Sequence, residues 1–92
     1  MALLDLLGRR WSLRILWELR EARLSFRALQ SRCGQPSPTV LNQRLKELRD
    51  ARLVDVAKEG GYGLTERGHD LVAQFLPLHR FAENWAKDLE AR

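Results

Sequence analysis

Ninety-two residues, 45% of them hydrophobic, supply one small core and no second one, so the chain is expected to form a single domain over residues 1–92. No apolar run approaches the roughly 18 residues that a membrane span needs, and the start lacks the basic, apolar and small-residue order of a signal peptide. A cytoplasmic protein with no membrane partner is expected. The net charge of +4 is unevenly spread: residues 1–52 hold 11 Lys or Arg and 5 Asp or Glu, a net of +6, whereas residues 53–92 hold 5 and 7, a net of −2. A basic half beside a mildly acidic one is the footprint of a phosphate-contacting protein, although arginine richness also follows from GC-rich codon usage.

In chain order, Ala2 to Leu7 is a short apolar segment stopped by Gly8, and a longer helix is expected from about Trp11. Between Trp11 and Leu19 the apolar residues occupy more than one face, so this helix should touch its own core on one side and a partner subunit on another. Ser25 to Arg52 reads as a helix, a tight turn and a second helix. The first is defined by Phe26, Leu29 and Cys33 or Gln30, and the turn by Gly34, Gln35 and Pro36. In the second, Ser37 can cap the free amides and Pro38 suits the first helical position, where no donor is needed. Leu41, Leu45 and Leu48 then recur at the spacing that buries one side of a helix.

At about 100° per residue, Thr39, Asn42, Gln43 and Lys46 fall on the opposite side. A solvated helix usually carries Glu and Lys there. Asn and Gln can instead bond the N6 and N7 of adenine together in the major groove, and Thr and Lys reach bases or phosphates. A plain helical hairpin packed in a core would share the leucine spacing but not this polar face.

Beyond it, Leu53 to Lys58 and Tyr62 to Thr65 have strand character, and Gly60-Gly61 can supply the positive φ angles of a hairpin turn, giving a two-stranded wing. Thr65 is placed to cap a helix from Glu66, in which Gly68 lies early enough to cost little. Leu71, Phe75, Leu78, Ala82, Trp85 and Leu89 follow at steps of 4, 3, 4, 3 and 4, a heptad seam that Pro77 should kink midway. Such a stripe either docks on its own domain or pairs with its twin; pairing is favoured, because a dimer doubles the DNA contacts on two half-sites.

Enzyme chemistry lacks its parts. His69 and His79 have no ligands around them at metal spacing, and no phosphate loop or nucleophile elbow occurs, so no catalytic residue, metal or cofactor is assigned. The single cysteine, Cys33, cannot form an internal disulfide and has the pattern of a small core residue. A winged helix used only for protein interaction is the competing class, and an apolar or acidic face on the second helix would be its mark.

Four stretches together resemble the HxlR family of winged helix-turn-helix regulators, relatives of the MarR group: LLGRRWSLRILWEL at Leu6 to Leu19, SFRALQ at Ser25 to Gln30, SPTVLNQRLKEL at Ser37 to Leu48 and YGLTERG at Tyr62 to Gly68. The resemblance implies a mainly α fold with a small β-hairpin wing, divided into a helix-turn-helix at 25–51, a wing at 53–65 and dimerisation helices at 66–91. It implies a homodimer on double-stranded operator DNA, regulating transcription and more often repressing it, with Ser37, Thr39, Asn42, Gln43 and Arg44 facing DNA. Lys46 is added by helical projection and Lys58 as the cation at the wing tip. The interface expected between subunits comprises Trp11, Leu71, Phe75, Leu78, Ala82, Trp85 and Leu89. This chain departs from the family in a wing several residues shorter. Family members that sense oxidants or electrophiles carry their cysteine near the N-terminus, whereas Cys33 ends the first helix of the reading motif.

Overall fold

The computed structural model describes residues 2–91. Six helices and one hairpin follow in the order α1 (Ala2–Leu7), α2 (Ser12–Glu18), α3 (Phe26–Arg32), α4 (Pro38–Asp50), β1 (Val54–Val56), β2 (Tyr62–Leu64), α5 (Glu66–Ala73) and α6 (Phe75–Glu90).

The helix-turn-helix is built by local signals. Ser25 and Ser37 each accept a hydrogen bond from the backbone three residues on, at Ala28 and Val40, and Pro38 opens α4 without an unmet donor. The end of α3 is closed by two backbone bonds, Gln35 N–H to the Gln30 carbonyl and Gly34 N–H to that of Ser31. This closing pattern needs a left-handed residue after the helix, here Gly34 at φ 87. The Gln30 side chain then fastens the turn by donating to the Pro36 carbonyl. The same closure ends α4: Leu53 N–H bonds the Leu48 carbonyl and Arg52 N–H that of Arg49, with Arg52 itself at φ 62.

Leu41, Leu45 and Leu48 of α4 meet Ile15, Leu16, Leu19, Leu29, Cys33, Leu53, Val54, Leu64 and Val72 in one core. That burial fixes the rotation of α4 about its axis, and hence which residues it turns outward. Among the described residues Ser12 is the one buried polar residue, and its hydroxyl has no hydrogen-bond partner there.

The wing pairs Val54 with Leu64, Asp55 with Gly63 and Val56 with Tyr62. Its turn runs through Ala57 to Gly60, closed by the Gly60 N–H on the Ala57 carbonyl. Gly60 alone takes a positive φ, at 95; Gly61 instead accepts from the Ala57 N–H as a paired residue, which corrects the expectation that both glycines would turn the chain. The sequence also gave no sign of Leu24, which exchanges two backbone bonds with Tyr62 and so adds a third edge to the wing. Arg23 secures that edge through an ion pair with Asp55 and a bond to the Gly61 carbonyl.

Thr65 caps α5 as expected. Gly68 is not a residue merely tolerated early in the helix, because a Cβ there would run into the Leu53 carbonyl oxygen. The expected midway kink at Pro77 is also corrected. The chain breaks at Gln74, and Pro77 is the third residue of α6, where its missing N–H costs nothing, while its ring would clash with the Ala73 carbonyl of a continuous helix.

Candidate nucleic-acid interface

With its leucines buried, α4 presents Thr39, Asn42, Gln43 and Lys46 to solvent, and Ser37 stands exposed at its start. These five expected DNA-facing residues therefore share one accessible face or end of one helix. Asp50 projects to the same side one turn further on and pairs with Lys46 at 3.0 Å, both side chains being about 70% exposed. A pair that open is weak and can be exchanged for a phosphate partner. Lys58 is exposed in the wing turn. Between α4 and the wing, Lys46, Arg49, Asp50, Val54, Asp55 and Val56 line an open groove of about 490 Å³.

Arg44 is placed differently from the rest. Only 18% of its side chain is exposed; Nε donates to the Arg10 carbonyl at 3.0 Å and an Nη to Glu47 Oε1 at 3.0 Å. It ties α4 to the α1–α2 connection, where Trp11 adopts φ 80. Glu47 also receives Gln43 Nε2 on Oε2 at 3.1 Å and has the Arg9 guanidinium 3.6 Å away. Burial pushes the Glu47 carboxyl up, but the Gln43 hydrogen bond and the charges of Arg44 and Arg9 outweigh it, so the group sits below its ordinary range and is ionised at neutral pH. Sequence reasoning missed Glu47. It lies four residues after Gln43, a spacing that brings helical side chains together, and the side-chain network shows that the two touch.

The expected subunit-contact residues divide into two groups. Trp11, Leu71 and Phe75 are half-buried against the chain's own core. Leu78, Trp85 and Leu89 are 55–60% exposed along α6, with Ala82 exposed among them. Phe81, missed because it lies off the heptad, joins this stripe at 64% exposure, and its spacing of three from Leu78 and four from Trp85 was the available signal. A shallow apolar groove of about 330 Å³ runs between α2 and α6, lined by Leu13, Trp17, Phe75, Leu78 and Ala82, with the His79 ring stacked on Trp17 at 5.7 Å.

Cys33 is buried; burial first, and then the charge of Glu18, push its thiol up, against a smaller downward pull from Arg14. Among the described residues no cluster of His, Cys, Asp and Glu could hold a metal ion, and no helix is long and apolar enough to cross a membrane.

A family model described as HxlR-like helix-turn-helix matches residues 6–90. The quinone-bound structure of YodB from B. subtilis superposes with a TM-score of 0.84 at 30% identity, over 90% of this chain and 92% of that one. The reduced form of the same transcriptional regulator gives 0.78 at 31% identity, over 89% and 86%. A possible HxlR family transcriptional factor from Thermoplasma volcanium GSS1 gives 0.80 at 28% identity, over 92% and 82%. A search of curated proteins gave no match.

Proposed function

Because this chain belongs to the HxlR-like helix-turn-helix family of transcriptional regulators, which bind DNA and are not enzymes, we propose that it reads operator DNA as a homodimer and represses transcription from the cytoplasm. The observation that carries this reading is the face of α4: Thr39, Asn42, Gln43 and Lys46 exposed together opposite three leucines that lock the helix in place. This face is neither apolar nor uniformly acidic, which disfavours a pure protein-interaction module. Ser37, Thr39, Asn42, Gln43 and Lys46 are assigned to the major groove and its phosphates, and Lys58 to the backbone beside the wing. Arg44 is reassigned from a direct contact to a brace for α4. Two such helices need a second copy, and the exposed stripe of Leu78, Phe81, Trp85 and Leu89 supplies the surface for it. Repression follows from a dimer laid over its operator, which blocks the DNA with no further surface. Cys33 is assigned to the core and not to sensing.

The test is selection of bound sequences by the wild-type protein and by Gln43→Ala, with thermal melting as control. The wild type is expected to select a two-fold symmetric site with half-sites about 34–36 Å apart or a multiple of that. Gln43→Ala should lose about 1–3 kcal/mol of base discrimination at one symmetric position per half-site while keeping non-specific binding. An absence of any selected sequence would leave the interaction module standing. A selected site placed across a promoter should silence a reporter when the protein is expressed; activation would reverse the assigned sign.

A further inference from the structure

An acidic side chain beside a DNA-reading face repels phosphate, so its presence calls for a compensating role. Glu47 projects from the flank of α4 next to Gln43, and its carboxylate accepts from Gln43 Nε2 at 3.1 Å and Arg44 Nη at 3.0 Å, with the Arg9 guanidinium 3.6 Å away as a further positive charge. Arg44 is itself held by the Arg10 carbonyl, and the Arg44 and Glu47 side chains are only 18% and 19% exposed. This differs from the Lys46–Asp50 pair, whose open side chains are free to part. The Glu47 carboxylate is fixed from behind by the body of the domain, and from in front it fixes Gln43.

We propose that Glu47 is a positioning residue that makes no base contact of its own and sets the base preference of Gln43 by holding its amide in one orientation. The inference rests on the reading of Gln43 as a base-contacting residue. An ionised carboxylate only accepts hydrogen bonds, so the Gln43 amide must turn its nitrogen toward Glu47. The second N–H and the oxygen are left facing outward in a fixed order, one donor and one acceptor, which is the pair that adenine N7 and N6 require. An amide free to flip would offer that pair in either order and would lose part of its selectivity. Holding it in advance also removes the side-chain ordering cost from the binding step.

The experiment is selection of bound sequences by Glu47→Ala, Glu47→Gln, Gln43→Ala and the double variant Gln43→Ala/Glu47→Ala, each with melting and with affinity for random-sequence DNA. Glu47→Ala is expected to relax preference at the same position as Gln43→Ala, where a good bidentate contact gives roughly 5- to 140-fold discrimination. The double variant should relax that position no further than Gln43→Ala alone, because Glu47 acts only through Gln43. Affinity of Glu47→Ala for random-sequence DNA should rise, since Arg44 and Arg9 lose their counter-charge; a merely structural role would lower affinity for every sequence. Glu47→Gln, whose single oxygen is drawn to Arg44, turns an NH2 toward Gln43, no longer forbids the flipped amide and should relax the same position as Glu47→Ala does. Unchanged preference in Glu47→Ala, further relaxation in the double variant, or full preference kept by a well-folded Glu47→Gln would each overturn the proposal while leaving the DNA reading intact. If Gln43→Ala itself relaxes nothing, Gln43 is not the reader and the inference falls with it, whereas wild-type selection still reports whether the protein reads DNA.

Discussion

Cys33 shows how a single buried group makes stability depend on pH. Its thiol is held above the ordinary value of 9.0 because burial and the charge of Glu18 both oppose the thiolate. Below that value both folded and unfolded chains keep the proton and nothing depends on it. Above it the unfolded chain loses the proton first, so unfolding gains and stability falls as pH rises from about 9 toward the folded-state value. Cys33→Ala is expected to cost about 1 kcal/mol in lost packing at neutral pH and to flatten this alkaline decline. Urea unfolding of both proteins between pH 7 and 10.5 checks it; parallel declines would mean that the thiol does not contribute. A thiol reagent should label Cys33 at the rate of unfolding.

Among the elements, the junction between wing and α5 is drawn close by a single residue. Thr65 donates to the Arg52 carbonyl at 2.7 Å, accepts from Gly68 N–H at 3.0 Å and gives its own N–H to Leu53 at 3.1 Å, drawing α5 onto the end of α4. Gly68→Ala forces a methyl group into the Leu53 carbonyl and should cost about 3 kcal/mol, lowering Tm by roughly 10 °C or more, as read by calorimetry. An unchanged Tm would mean that the helix can move aside. The caps at Ser37-Pro38 and Thr65 were legible in the sequence, because each acts on an amide three residues away; Ser25 caps α3 in the same way but was not singled out. The Leu24 edge and the need for Gly68 were not, because each depends on a residue brought close from 38 or 15 positions away in the chain. The break at Gln74 was hidden for another reason: the heptad spacing runs through it unbroken, and Pro77 is as compatible with a first helical turn as with a kink.

For the whole molecule the dominant feature is length. The chain measures 50 × 25 × 24 Å, and α6, about 24 Å long at 1.5 Å per residue, is exposed along nearly all of it. Periodicity showed that this helix has an apolar face but not which neighbour would cover it. In the structure Leu71 and Phe75 are taken by the chain's own core, and Leu78, Phe81, Trp85 and Leu89 remain outside. Trp85→Lys with Leu89→Lys should therefore leave the domain folded and convert a dimer to monomers in sedimentation, whereas Phe75→Lys would damage the core as well. Dimer mass in the Trp85/Leu89 variant would place the subunit contact elsewhere. The outward face of α4 was equally legible, since three leucines settle its rotation. What it lacked was the second layer, the Arg44 and Glu47 network that joins it to the α1–α2 connection.

That network carries an evolutionary consequence. Arg44 grips residue 10 by its backbone carbonyl, which every amino acid supplies. Position 10 can then change its side chain without losing this contact while position 44 is held to arginine, whose planar donors serve the carbonyl and Glu47 at once, a geometry that lysine cannot copy. Two residues in direct contact would show no correlated substitution, so comparison of sequences alone would pass over the joint by which the N-terminal segment meets the reading helix.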